Sequence, residues 1–80
     1  MTVGERIYYC RTEIHMTQRQ LAEKTGIDQS TIGKYERGVL NPKIGTLRKI
    51  ADALGCDVAV LDDSLSAGTN KMMEAVRQTI

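Results

Sequence analysis

Eighty residues, 41% of them apolar and 26% charged, suit one globular domain with a modest core built on Ile, Leu, Val and Ala, since Trp and Phe are absent. Two cysteines are too few for a disulfide scaffold. No apolar run could span a membrane and no basic-plus-apolar N-terminal segment marks a signal peptide, so a cytoplasmic protein with reduced thiols is expected.

The first expected helix opens at a capping box, where Thr2 and Glu5 can each bond the other's backbone N–H. Val3, Ile7, Cys10 and Ile14 then recur at spacings of four, three and four, the stripe of one buried face. Cys10 on that stripe, and Cys56 at a later apolar position, are expected to be buried thiols. The second helix opens at Thr17 with Gln20, buries Leu21 and Ala22, and stops at Gly26. The third is capped by Asp28, buries Ile32 and Tyr35 and stops at Gly38. Val39 to Lys43, with Asn41–Pro42 inside it, is a loop. The fourth helix runs from about Ile44 to Leu54, with Ile44, Leu47, Ile50, Ala51 and Leu54 on one side and Gly55 as its stop. A short fifth is capped by Asp57 and buries Val58 and Leu61. Residues 66–69 read as a hinge, after which Met72, Val76 and Ile80, four apart, fit a short sixth helix. Strand signals are absent, so the expected fold is all-α: a compact five-helix domain over 1–65, with a C-terminal extension over 66–80 as a candidate dimerisation helix.

The charge is unevenly spread. Residues 1–51 carry nine Lys/Arg against five Asp/Glu, and residues 52–80 carry two against five, which makes +4 and −3. A basic front and an acidic rear suit a module that turns one face to phosphates.

The second and third helices are joined only by Thr25-Gly26-Ile27, which forces a sharp angle and packs the pair as a unit. Leu21, Ile27 and Ile32 can lock that angle from inside. The third helix then turns outward a polar face of Gln29, Ser30, Lys34 and Arg37, on an element that fits the DNA major groove.

The stretch from Thr17 to Gly38 resembles the helix-turn-helix of the Cro/C1 phage-repressor family, also called the xenobiotic-response-element family. Pro42, Thr46, Leu47 and the run to Gly55 are similar to that family's fourth helix, and the likeness covers about residues 3–65. It implies a lambda-repressor-like fold and a role for each matching position. Gln29, Ser30 and Lys34 stand at base-reading positions. Gln18 stands where the family bonds a phosphate and braces the first reading side chain. Asn41, Lys43 and the N–H groups near Ile44 match the loop that grips the DNA backbone, and Arg11 and Glu36 match an interhelical salt bridge.

Elementary chemistry agrees with several of these roles. The Gln29 carboxamide can pair with adenine N6 and N7, and Lys34 can donate to guanine or neutralise a phosphate. The start of the second helix, at Thr17 and Gln18, favours an anion, and Arg37 can reach a phosphate. Three residues depart from the family's pattern. Lys43 replaces a capping residue at the start of the fourth helix, and Gly45 weakens its first turn by roughly 1 kcal/mol. Gly33 inside the reading helix either lets it approach DNA closely or is simply tolerated.

Nothing supports catalysis, a metal or a cofactor. His15 reads as a solvent-exposed loop residue, Asp62 and Asp63 as surface charges, and Cys10 with His15 lacks a third orienting group. The expected function is a sequence-specific regulator of transcription, a repressor that binds double-stranded DNA as a homodimer on a palindromic operator. The alternatives are an antitoxin-like protein that binds a protein partner through residues 66–80, or the N-terminal part of a larger regulator.

Overall fold

In the computed structural model, residues 1–62 are described. They form α1 (Val3–Glu13), α2 (Gln18–Thr25), α3 (Gln29–Glu36), α4 (Ile44–Leu54) and α5 (Val58–Leu61), with no strand among them. Local hydrogen bonds set these limits. Thr2 Oγ1 accepts from Glu5 N at 3.1 Å while Glu5 Oε1 accepts from Thr2 N at 3.2 Å. The bond to the Thr2 backbone, followed by that to its side chain, holds the Glu5 carboxyl below its ordinary range. Thr17 and Gln20 repeat the arrangement at 3.0 and 2.8 Å. Asp28 and Asp57 cap α3 and α5 by accepting from Ser30 N and Ala59 N. Gly26 and Gly55 close α2 and α4 at φ 74° and 73°, and Gly38 follows α3 at φ 76°.

Ile7, Leu21, Ile32, Ile50 and Leu61 are fully buried, so each of the five helices places one side chain at the centre of the core. Burying one such side chain contributes about 1.5–3 kcal/mol. Leu47, Ala51, Leu54 and Tyr35 surround them, and Ile27, between α2 and α3, packs against the same cluster. The α2–α3 pair is flanked by α1, on α3, and by α4, on α2, while α5 closes the gap between α1 and α4. Arg6 Nη1 donates to Val60 O at 3.1 Å across that closure.

The α1–α3 crossing depends on Gly4. This residue is buried, and a Cβ there would fall well inside contact distance of Tyr35 O and 2.9 Å from Glu36 O. Two backbones therefore meet where a side chain would hold them apart.

The structure corrects some burial expectations. Ile14 is 48% exposed rather than part of a buried stripe, because α1 ends at Glu13 and the chain turns away through His15, at φ 57°. Ile44 is 47% exposed, because it is the first residue of α4 and projects beyond the layer that covers Leu47. Ala22 and Val58 are half-buried, as are Cys10 and Cys56, which sit as free thiols at the rim of the core rather than inside it. Burial still pushes the Cys56 thiol up, and neighbouring Cys10 adds to this. Asp62 is half-buried as the C-cap of α5. Asp63, the 66–69 hinge and the expected sixth helix lie outside the described residues. Among the described residues, no helix is long and apolar enough to cross a membrane.

Candidate nucleic-acid interface

Ile32 and Tyr35 anchor α3 from beneath, which leaves residues 29, 30 and 34 on its outer face, with Gly33 buried among them and Arg37 just past its end. Gln29, Ser30, Lys34 and Arg37 are exposed there and, with Gly33, Asp28 and the half-buried Gln18 of α2, line one shallow open depression. The expected base-reading residues thus share a surface with the expected residue from α2. The side chains of Gln29 and Lys34 make no hydrogen bond to another described residue, so their polar ends are available. Ser30 differs. Its hydroxyl donates to the Asp28 carboxylate, and this bond is the chief reason that the Asp28 carboxyl lies below its ordinary range. Ser30 therefore turns an acceptor oxygen, and no free proton, to the surface.

Beneath this surface lies a polar network. Arg11 Nε donates to Glu36 Oε2 at 2.7 Å and Arg11 Nη2 to Glu36 Oε1 at 3.0 Å, with side chains only 10% and 6% exposed. Arg11 Nη1 donates to Met16 O at 2.8 Å, and the guanidinium lies 5.3 Å from the Tyr8 ring centroid. The expected Arg11–Glu36 pair is therefore bidentate and tied to the entry of α2. Gln18 Nε2 also donates to Glu36 Oε1, at 3.0 Å, so this carboxylate gathers α1, α2 and α3. No buried side-chain polar atom among the described residues lacks a partner.

The phosphate candidates fall into two groups. Thr17 spends its oxygen on Gln20 N, which leaves the Gln18 and Arg19 N–H groups of α2 without a side-chain cap. Arg37, Asn41 and Lys43 are exposed between α3 and α4. Lys43 makes no side-chain cap, as its residue type predicts, so the positive end of α4 keeps open N–H groups beside an ammonium.

Two features escaped the sequence reading. The first is the Gln18–Glu36 bond. Its signal was the acid itself, because a carboxylate at the C-terminal end of a helix opposes the dipole and, when buried, needs several donors. The second is the crowding over Gly33, where a Cβ would lie 3.1 Å from Arg37 Nη1 and 3.8 Å from the Gln18 amide. Arg37 folds back over the middle of α3 in the space a side chain would fill.

Comparison with known proteins gives a consistent picture. The helix-turn-helix family profile matches residues 7–61. The chain is 44% identical over 61 residues to the immunity repressor protein of Bacillus phage phi105, an alignment covering 76% of this chain and 42% of that protein. It is 37% identical over 71 residues to the SPbeta prophage-derived HTH-type transcriptional regulator YonR of Bacillus subtilis, covering 89% of this chain and 62% of YonR. The chain thus spans about half the length of these curated relatives. Among solved structures it is similar to the restriction-modification controller protein C.AhdI from Aeromonas hydrophila, with TM-score 0.72, 34% identity, and coverage of 74% of this chain and 89% of that one. It is also similar to the P22 c2 repressor protein, solved in complex with a synthetic operator, with TM-score 0.71, 28% identity, and coverage of 76% and 92%.

Proposed function

The chain belongs to the Cro/C1-type helix-turn-helix family, and from that premise we propose that it is a sequence-specific DNA-binding regulator of transcription, acting as a repressor. One observation carries the reading: Gln29, Ser30 and Lys34 of α3, with Arg37 just after it, are exposed around one depression that Gln18 of α2 completes. In this reading α3 enters the major groove, Gln29, Ser30 and Lys34 face base edges, and Thr17, Gln18, Arg37, Asn41 and Lys43 flank the phosphates. The unassigned N–H groups at the start of α4, next to Lys43, support the phosphate role. One short helix reads only a few base pairs, so two copies on a palindromic operator give useful specificity. The dimer contact is assigned to residues 58–80, where Val60 is exposed on α5. A repressor of this kind acts in the cytoplasm, on DNA, without catalysis.

In-vitro selection from random double-stranded DNA tests this directly. The expected motif has two half-sites about one helical turn apart. Failure to enrich any motif would remove the proposal. Gln29→Ala should relax one position in each half-site, at a cost of about 1–3 kcal/mol for the preferred base. An unchanged motif in that variant would take base reading away from Gln29. Lys43→Ala should weaken operator and random DNA alike, and should make the slope of log affinity against log salt shallower by about one. A slope equal to wild type would remove the Lys43 contact.

A further inference from the structure

The Glu36 carboxylate has more donors than an interhelical salt bridge requires. Arg11 occupies both oxygens, at 2.7 and 3.0 Å, and Gln18 Nε2 adds a third bond, to Oε1, at 3.0 Å. An ionised carboxylate only accepts hydrogen bonds. The Gln18 amide must therefore turn its NH₂ end toward Glu36, and chemistry alone settles which end is which. The two ends of a carboxamide are otherwise alike in size, so a free glutamine presents either one. Once the NH₂ end is held, the carbonyl oxygen is held as well. Both Gln18 Nε2 and Oε1 lie 3.8 Å from the Cβ position of Gly33, in the depression that Gln29, Ser30 and Lys34 also line.

We propose that Glu36 is a positioning residue for DNA recognition: it sets the polarity of the Gln18 amide, so that Gln18 turns a hydrogen-bond acceptor to the reading surface. The proposal rests on the reading of α3 as the DNA-reading helix. It deepens that reading, because it makes a carboxylate beneath the reading surface a determinant of which base is accepted. An acceptor at this corner suits an exocyclic amino group, on adenine or cytosine, and opposes guanine O6 and thymine O4, which are acceptors themselves. The second N–H of Gln18 Nε2 stays available to a phosphate, so both contacts fit on one side chain. The low exposure of Glu36, 6% for its side chain, keeps water from competing for the bond and makes the lock effective.

The test is in-vitro selection and titration with wild type, Gln18→Ala, Glu36→Gln and the double variant, each confirmed as folded by circular dichroism at the assay temperature. Glutamine at 36 can donate as well as accept, so the amide of Gln18 is released. Wild type should prefer adenine or cytosine at one position of each half-site. Gln18→Ala and Glu36→Gln should both lose that preference, by roughly fivefold or more, at the same position. The double variant should be no worse there than either single one. Glu36→Asp keeps a carboxylate for Arg11 but is one methylene too short for Gln18. It should show the same loss, and it decides the matter if Glu36→Gln does not fold. The proposal is overturned if the position-36 variants keep the wild-type motif while Gln18→Ala alters it. It is equally overturned if they weaken all sequences alike, as a purely structural brace would. If wild type itself enriches no motif, the reading of α3 fails first, a result distinct from either.

Discussion

Gly4→Ala is expected to destabilise the protein by about 3 kcal/mol or more, although alanine is the better helix former. The added methyl group would meet Tyr35 O well inside contact distance and Glu36 O at 2.9 Å. Both are backbone atoms, so no rotamer change relieves the clash, and α1 or α3 must move as a whole. Tyr35 packs in the core, and Glu36 holds the polar network, so movement of α3 disturbs both. The loss is large against the roughly 4–12 kcal/mol of stability expected for 80 residues. Gly45→Ala provides the internal control. Gly45 also lies in the first turn of a helix, but nothing beyond its chain neighbours and its own helix backbone lies within 4 Å of its Cβ position. That change should leave stability equal or raise it by up to about 1 kcal/mol. Urea unfolding of the two variants tests the contrast, and equal midpoints would mean that α1 and α3 do not cross this closely.

The second large effect is expected at Arg11. Arg11→Met should destabilise by about 3–5 kcal/mol, because it strands the buried Glu36 carboxylate with a single remaining donor, Gln18. Glu36→Leu should cost less. Arg11 then keeps the Met16 carbonyl, at 2.8 Å, and the Tyr8 ring face. The double variant Arg11→Met/Glu36→Leu should recover part of either loss, since an apolar pair removes both desolvation penalties at once. A double-mutant cycle by urea unfolding should give a coupling of at least about 0.5 kcal/mol. Strictly additive effects would show that the two side chains do not act as a pair. Recovered stability should not bring back the base preference that Gln18 sets, because Leu cannot hold the Gln18 amide.

Most helix ends were legible in the sequence, because they are closed by local hydrogen bonds at fixed offsets; the end of α1 was not, and the start of α4 carries no side-chain cap. Thr2 and Glu5, Thr17 and Gln20, Asp28, Asp57, Gly26 and Gly55 all act within one turn, and all stand where residue type predicts. The helix-turn-helix was legible for the same reason, since a three-residue joint leaves two helices few ways to pack. The outward set on α3 followed from its period once Ile32 and Tyr35 were assigned to the core. Tertiary structure alone decided the rest. Periodicity put Ile14 and Ile44 on apolar faces, but only the lengths and crossings of the helices determine whether a layer covers the last residue of a stripe or the first of the next. Gly4 reads in sequence as a weak helix residue, and becomes the contact point of α1 and α3 because Tyr35 and Glu36, more than thirty positions away, pass directly over it. The bond from Gln18 to Glu36 spans 18 residues. It exists because Arg11 draws the carboxylate inward, where an acceptor with spare lone pairs takes the nearest donor, a contact set by distance in space and not by spacing along the chain.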